Sequence, residues 1–186
     1  DANNPEDDLQ IIASQNGFDF RVDDYPDTFA AAVALIPGGV STIDPTYGVI
    51  EENTDFDMFS MQAGAGPASI SIDPLALGSN LDLLVELFDS SYAVVATSNP
   101  VDDVNAFLDI DLPTEGKYYL RVTGTGKGDP LVDGYTDYGS LGNYRIQGTV
   151  VAYSPGNSAP TANDDVAGTE VDTAVTVDVL ANDNDD

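Results

Sequence analysis

Two short acidic stretches carry the residues best suited to chemistry. "DDYPD", residues 23–27, offers Asp23, Asp24 and Asp27, and "EENTDFD", residues 51–57, offers Glu51, Asn53, Asp55 and Asp57. Calcium takes six to eight oxygen ligands at about 2.3–2.6 Å, several of them carboxylates. Asp55 and Asp57 stand two apart beside the period-two segment "MFSM", and on a straight strand such a pair points to one side. The only basic residue near either stretch is Arg21. The alternative is that these acids splay into water as a solvated surface.

Other chemistry is excluded or weak. The chain has no His and no Cys, which removes Ser-His-Asp and Cys-His nucleophile systems and the usual zinc ligands. "VDTAV", residues 171–175, holds one Asp-Thr, where an aspartic protease needs two facing loops with Gly after Thr. Asp82 and Asp89 flank an apolar run, and a carboxylate at a strand end more often caps a turn than works as a glycosidase acid. Asp129, Asp133 and Asp137 are spaced by fours and do not match the EF-hand loop, so 125–141 reads as a solvated loop. Tyr92, Tyr135 and Tyr138 fall in expected loops and are the candidate ligand-binding aromatics. Tyr118, Tyr119 and Phe107 read as core, and Tyr144 as closing a sandwich edge.

The elements that must position these residues are strands. Asp outnumbers Glu by 27 to 6, and Asp is poor in helices and good in turns. From residue 47 the hydrophobic pattern alternates, giving candidate strands at 47–51, 56–62, 68–73, 81–89, 93–97, 105–112, 117–124 and 142–153. Turn signals such as Gly64 to Pro67, Asn99-Pro100 and Pro113 to Gly116 separate them. About eight short strands without intervening helices predict an all-β protein, an antiparallel jelly-roll β-sandwich. Within "FLDIDL", Phe107 or Leu108 turns inward with Ile110 and Leu112. Ahead of the strands, "PEDDLQIIA" predicts a short helical lead-in with Pro5 near its first position, and Thr28 is expected to cap a second short helix through Leu35. "SPGNSAPTANDD", 154–165, has the composition of a linker, and one strand-like alternation follows it from Ala174 to Leu180.

In order along the chain stand "DDYPDTFAAAVAL", "GVIEENTDFDMFSM", "NLDLLVELFDSS", "EGKYYLRVTG" and "GYTDYGSLGNYRI". The series resembles the bacterial pre-peptidase C-terminal domain, a jelly-roll module appended to secreted peptidases, over roughly residues 20–152. The loop "GKGDPLVDGYTDYGSLGNY" looks like the variant carried by secreted zinc metallopeptidases of marine bacteria. "NNPEDDLQIIAS" is similar to the stretch joining such a catalytic domain to this module. The tail from Ala159 is similar to the opening of cadherin-like adhesin repeats, which usually bind calcium at their junctions, with Asp183, Asp185 and Asp186 as half of such a junction.

The resemblance implies a division into a lead-in (1–22) from a preceding catalytic domain, a β-sandwich (23–153), a linker (154–165) and the truncated start of a repeat (166–186). It also implies an ion held between an acidic motif ahead of the first strand and an acidic pair opening a later one. Asp23 and Asp27 fall on the first motif and Asp55 and Asp57 on the second, with Asp24 and Asn53 as further oxygens. The collagenase pattern has a carboxylate where Tyr25 stands, which leaves the coordination number open here, with Asp24, a backbone carbonyl or water to fill the place. Like charges ~5 Å apart repel by roughly 3 kcal/mol at an effective dielectric of 20, so gathering four or five needs a cation.

The expected function is therefore a non-catalytic, calcium-binding accessory module of a secreted bacterial metallopeptidase, serving substrate attachment, secretion or maturation. Its partners would be the preceding peptidase domain, the following repeats, and the protein or polysaccharide substrate of the parent enzyme. The alternatives are a carbohydrate-binding module, which should show a flat row of aromatics and here has no Trp, or a purely structural spacer. A net charge of −28 argues against nucleic acid and anionic membrane, no apolar run has transmembrane length, and so acidic a surface favours a monomer, while the resemblance implies a secreted, extracellular bacterial protein.

Overall fold

A computed structural model describes residues 7–76, 80–156 and 162–183. The chain divides into two compact units, Asp1–Ser154 and Pro155–Asp186. The first opens with helix α1 (Asp8–Gln15), capped by the Asp7 side chain, which accepts from the Gln10 N–H at 3.0 Å. Pro5, expected near the helix start, lies outside the described residues. Among the described residues nine strands follow: β1 (Val33–Ile36), β2 (Thr42–Ile50), β3 (Phe56–Ala63), β4 (Gly66–Pro74), β5 (Leu83–Phe88), β6 (Val94–Ser98), β7 (Ala106–Leu112), β8 (Gly116–Gly124) and β9 (Gly142–Thr149).

The strands make two sheets, ordered β1-β3-β8-β5-β6 and β2-β9-β4-β7. Without β1, eight strands remain in two four-stranded antiparallel sheets, the arrangement of a jelly roll. β1 is the ninth strand, added parallel to the β3 edge. The expected second helix, Thr28 to Leu35, does not form. Its alanines favour a helix locally, but β3 leaves an edge of free backbone groups that Val33 to Ile36 satisfies, and tertiary pairing outweighs propensity. β2 begins at Thr42 rather than near Tyr47, and its register shifts between Ile43 and Thr46, around Pro45, which cannot donate to the ladder.

Residues of the two inner faces fill one core. Ile43, Ile50, Phe59, Met61, Ile70, Ile72, Leu83, Val85, Leu87, Leu120, Val122 and Ile146 are all buried there. Tyr118 and Tyr119 are buried as expected, whereas Tyr144, expected to close a sandwich edge, is fully buried on β9, an interior strand of its sheet. Phe107 is not: it is 49% exposed, whereas Leu108 is 2% exposed. The period of two permits only one of these neighbours to face inward, and Leu108 shares its parity with Leu112. A second, smaller cluster covers the outer face of the five-stranded sheet, where Phe29, Ala32 and Phe56 pack on Met58, Phe88 and Tyr119. β3 is therefore buried on both faces.

In the second unit, Ala174 to Leu180 forms no strand among the described residues. A lone alternating segment has no neighbouring strand to pair with, and so short a piece buries no core of its own. Its ends meet through Asn163, whose backbone N–H donates to Asp183 Oδ1 at 2.8 Å and whose amide donates to the Asn182 carbonyl at 2.7 Å. Asp185 and Asp186 lie outside the described residues.

Candidate functional site

The 23–36 segment runs along the β3 edge, and hydrogen bonds fix its path. The Met58 N–H donates to the Pro26 carbonyl at 3.1 Å. Tyr25 packs its ring against Phe59, with centroids 4.6 Å apart, and its hydroxyl donates to the Tyr47 carbonyl at 3.0 Å. Asp23 Oδ1 accepts from the Tyr25 N–H at 3.0 Å, and Asp24 Oδ1 from the Val49 N–H at 3.4 Å. Tyr25 thus holds the segment in place where a ligand was sought from the collagenase pattern.

The β2–β3 turn comes to meet this segment. Asp55 closes the turn, its Oδ2 accepting from the Glu51 N–H at 3.0 Å. Asp57 shares the inward face of β3 with Phe59 and Met61 and is fully buried at the end of the core. Across the sandwich, the Tyr144 hydroxyl on β9 donates to Asp57 Oδ2. Gly48 pairs with Tyr144, and a Cβ there would collide with the phenol ring, so glycine is what lets the ring lie across β2 towards Asp57.

Among the described residues, two sets of three carboxylates bring one oxygen each to within 4.8 Å of one another: Asp23, Glu51 and Asp55, and Asp23, Asp24 and Asp57. Asp23 belongs to both. A cavity of about 240 Å³ opens there, lined by Arg21, Asp23, Asp27, Glu51 and Asp55 among others. Of the expected ligands, Asp23, Asp24, Asp55 and Asp57 therefore come together. Asp27 borders the cavity but joins neither set, and Asn53 stands exposed on the turn, off the lining. Glu51 is the carboxylate missing from the expected set. It stands one residue past β2, and the signal for it was that position in the same acidic run.

The charges in this cluster are poorly compensated. Asp57 Oδ1 is buried without a hydrogen-bond partner, and both Glu51 carboxylate oxygens are buried against Asp55. Burial, with Asp55 and Asp24 beside it, pushes the Glu51 carboxyl up to about 8. Burial also pushes Asp57 up to about 9, against the lowering effect of the Tyr144 hydroxyl and with Asp55, Asp24 and Glu51 adding to the rise. Asp24, Asp27 and Asp55 are raised as well, each first by burial and then by neighbouring acids. Tyr144 is driven far above the phenol range by burial and by Asp57. A divalent cation would reverse the sign of the local field and give the orphaned oxygen a partner. The donor set, all hard oxygen, suits calcium.

The tyrosines do not form one site. Tyr92, with φ 66°, lies in the β5–β6 turn and packs on Phe29 and Tyr119, centroids 4.4 and 5.5 Å away. Tyr135 and Tyr138 lie beyond β8, at the opposite end of β5. There the Tyr135 hydroxyl donates to Asp82 Oδ2 at 2.7 Å, and the Tyr138 hydroxyl, which donates to Asp7 Oδ1 at 2.8 Å, accepts from the Leu9 N–H at 2.8 Å. Asp89 does cap its turn, accepting from the Ser91 and Ala93 N–H groups at 2.8 and 3.0 Å. Asp82 does not; it is 4% exposed and stands at the other end of β5. The two are thus no catalytic pair. In the 125–141 loop, Asp129 Oδ1 accepts from the Leu131 N–H at 2.9 Å, and Asp129, Asp133 and Asp137 join no carboxylate set among the described residues.

No protein-family model matches this chain, and no curated protein does. Among solved structures it is similar to the pre-peptidase C-terminal domain of a collagenase from Bacillus anthracis, at 16% identity and a TM-score of 0.45, over 67% of this chain and 97% of that one. It is also similar to PliG from Aeromonas hydrophila, a periplasmic inhibitor of g-type lysozyme, at 15% identity and a TM-score of 0.42, over 64% and 95% of the two chains. PliG from Salmonella Typhimurium gives 20% identity and a TM-score of 0.38, over 64% and 96%. These proteins differ in function, and a shared chain path does not choose between them. No helix among the described residues is long and apolar enough to cross a membrane.

Proposed function

We propose that residues 23–153 form a calcium-binding, non-catalytic accessory module of a secreted bacterial metallopeptidase, which attaches substrate or assists secretion or maturation. One observation carries the calcium reading. Carboxylates from two separated parts of the chain converge, and the deepest of them, Asp57, keeps a buried oxygen with no partner. Asp23, Asp24, Glu51, Asp55 and Asp57 would hold the ion, with Asp27 at the rim. Bound there, it supplies positive charge and links the lead-in to the β2–β3 turn. The peptidase setting rests on the five sequence motifs and their order, which supply the edge segment, the β2–β3 turn, β5, β8 and the turn into β9.

Calorimetric titration of the chelated protein with calcium tests this reading. The expected result is saturable binding that is lost in the double variant Asp23→Asn/Asp57→Asn. Because calcium binds the folded state alone, a hundredfold excess over the dissociation constant adds about 2.7 kcal/mol and raises the melting point by roughly 5–10 °C. An unchanged melting point after EDTA would overturn it.

A further inference from the structure

A second cavity, of about 670 Å³, opens between the end of β4, the start of β5 and the loop ahead of β9. Its size is that of a small-ligand site. Leu75, Leu81 and Val104 give it apolar wall, Tyr135 and Tyr138 give it aromatic wall, and among the described residues Asp82 is its one carboxylate. No described lining residue is basic.

Asp82 is built in rather than left over. Its N–H donates to Ser140 Oγ at 2.8 Å, and its carbonyl accepts from the same hydroxyl at 2.9 Å and from the Thr125 N–H at 2.9 Å. The backbone at Asp82 is therefore fixed. Its Oδ2 accepts from Tyr135, while Oδ1 is buried with no hydrogen-bond partner. A buried carboxylate oxygen left unpaired is costly, and a cation with N–H donors is its strongest partner.

The protein does not supply that cation. All five of its basic side chains are engaged elsewhere: Arg21 with Asn143, Lys117 over the Tyr119 ring, Arg121 with Glu86, Lys127 with Asp102 and Arg145 with Asp73. Calcium is a poor occupant, since one carboxylate falls short of the several it needs. An alkylammonium or guanidinium suits the cavity better: the apolar wall takes the stem, the tyrosine faces favour the positive head, and Asp82 receives its N–H groups. We infer that this cavity binds a lysine or arginine side chain of a partner polypeptide, with Asp82 as the charge-pairing residue and Tyr135 and Tyr138 as its walls. The assignment gives the attachment role proposed above a ligand class. It stands on residues other than the metal cluster, so either experiment can fail without the other.

The test is an NMR titration of the ¹⁵N-labelled protein in excess calcium, with blocked lysine and blocked arginine amides as probes. Blocked norleucine amide is the uncharged control, and putrescine stands for free polyamines. The expected result is saturable shifts at the amides of Ala76, Asn80, Asp82 and Ser140, with a dissociation constant on the order of 1 mM for the basic probes and none measurable for norleucine. Asp82→Asn should weaken binding by about tenfold or more. Ala76→Trp, which leaves the carboxylate and its hydrogen bonds in place and narrows the mouth, should weaken it too, and so covers the case in which Asp82→Asn does not fold. Equal shifts with norleucine, shifts confined to the 23–27 and 51–57 amides, or no shifts with either basic probe would overturn the inference. Tighter binding of putrescine than of blocked lysine would overturn the polypeptide assignment.

Discussion

Asp57 is where sequence and environment disagree most sharply: an acid on the inward parity of a strand, next to Phe59, at full burial. Its neighbours Asp55, Asp24 and Glu51 raise it further, and only Tyr144 opposes them. Asp57→Asn removes the charge and keeps the shape. It should weaken calcium at least tenfold by calorimetry while leaving the fold intact by circular dichroism, and the calcium-free variant should melt no lower than the calcium-free parent near pH 8. The pH dependence has a definite sign. Folded Asp57 and Glu51 hold protons up to about 9 and about 8, whereas the unfolded chain releases them near the ordinary carboxylate value. The folded state thus binds more protons between those limits, and metal-free stability falls as pH rises through this window. Calcium needs the ionised ligands, so its stabilisation grows over the same range. The gap between melting points with calcium and with EDTA should therefore widen from pH 5 to pH 8; a constant gap would contradict the shared site. Gly48 sets the same geometry from the other sheet. Gly48→Ala forces the Tyr144 ring away and should cost about 1–3 kcal/mol in urea unfolding, with weaker calcium binding as a second readout.

At the scale of elements, the long antiparallel strands were legible because alternation and turn residues agree along 56–62, 105–112 and 117–124. β1 was not, because "FAAAVAL" favours a helix and only the vacant β3 edge makes it a strand. The front half of β2 was hidden by Pro45. In the site, the two acidic motifs could be read, but not which of their members turn inward: Glu51 follows the strand direction of β2, whereas Asn53 rides out on the turn. Asp82 was visible only as an acid between Leu81 and Leu83, and such a flank does not distinguish a turn cap from a cavity floor. The edge segment gives an element-scale prediction. With calcium bound, amides of 33–36 should resist hydrogen exchange to nearly the same degree as those of β3. EDTA should expose β1 first and leave β8 and β5 protected, because local opening follows the weakest boundary. Simultaneous loss in all strands would argue that the ion does not act on this segment.

For the whole molecule, the described buried core residues of the jelly roll all lie between Ile36 and Val150, inside the unit Asp1–Ser154. A chain ended at Ser154 should keep its melting point to within about 2 °C and its calcium affinity unchanged, since it retains all of those residues. The chain has a formal net charge of −28, most of it on exposed acids, and all five cations make local contacts, so long-range attraction for cationic partners is built in and screened by salt. Association of basic peptides should accordingly slow as ionic strength rises, measured by stopped-flow at fixed calcium.

The edge segment also has a mechanical side. β1 lies parallel to β3 and is preceded along that edge by Pro26, Tyr25 and the carboxylates. Tension arriving through the upstream chain meets these anchors before it reaches a single rung of β1. With the proposed ion in place, the front of the domain would behave as a buckle whose grip follows dissolved calcium, and a pull from the upstream chain in calcium-poor water would unthread the edge before it strained the two sheets.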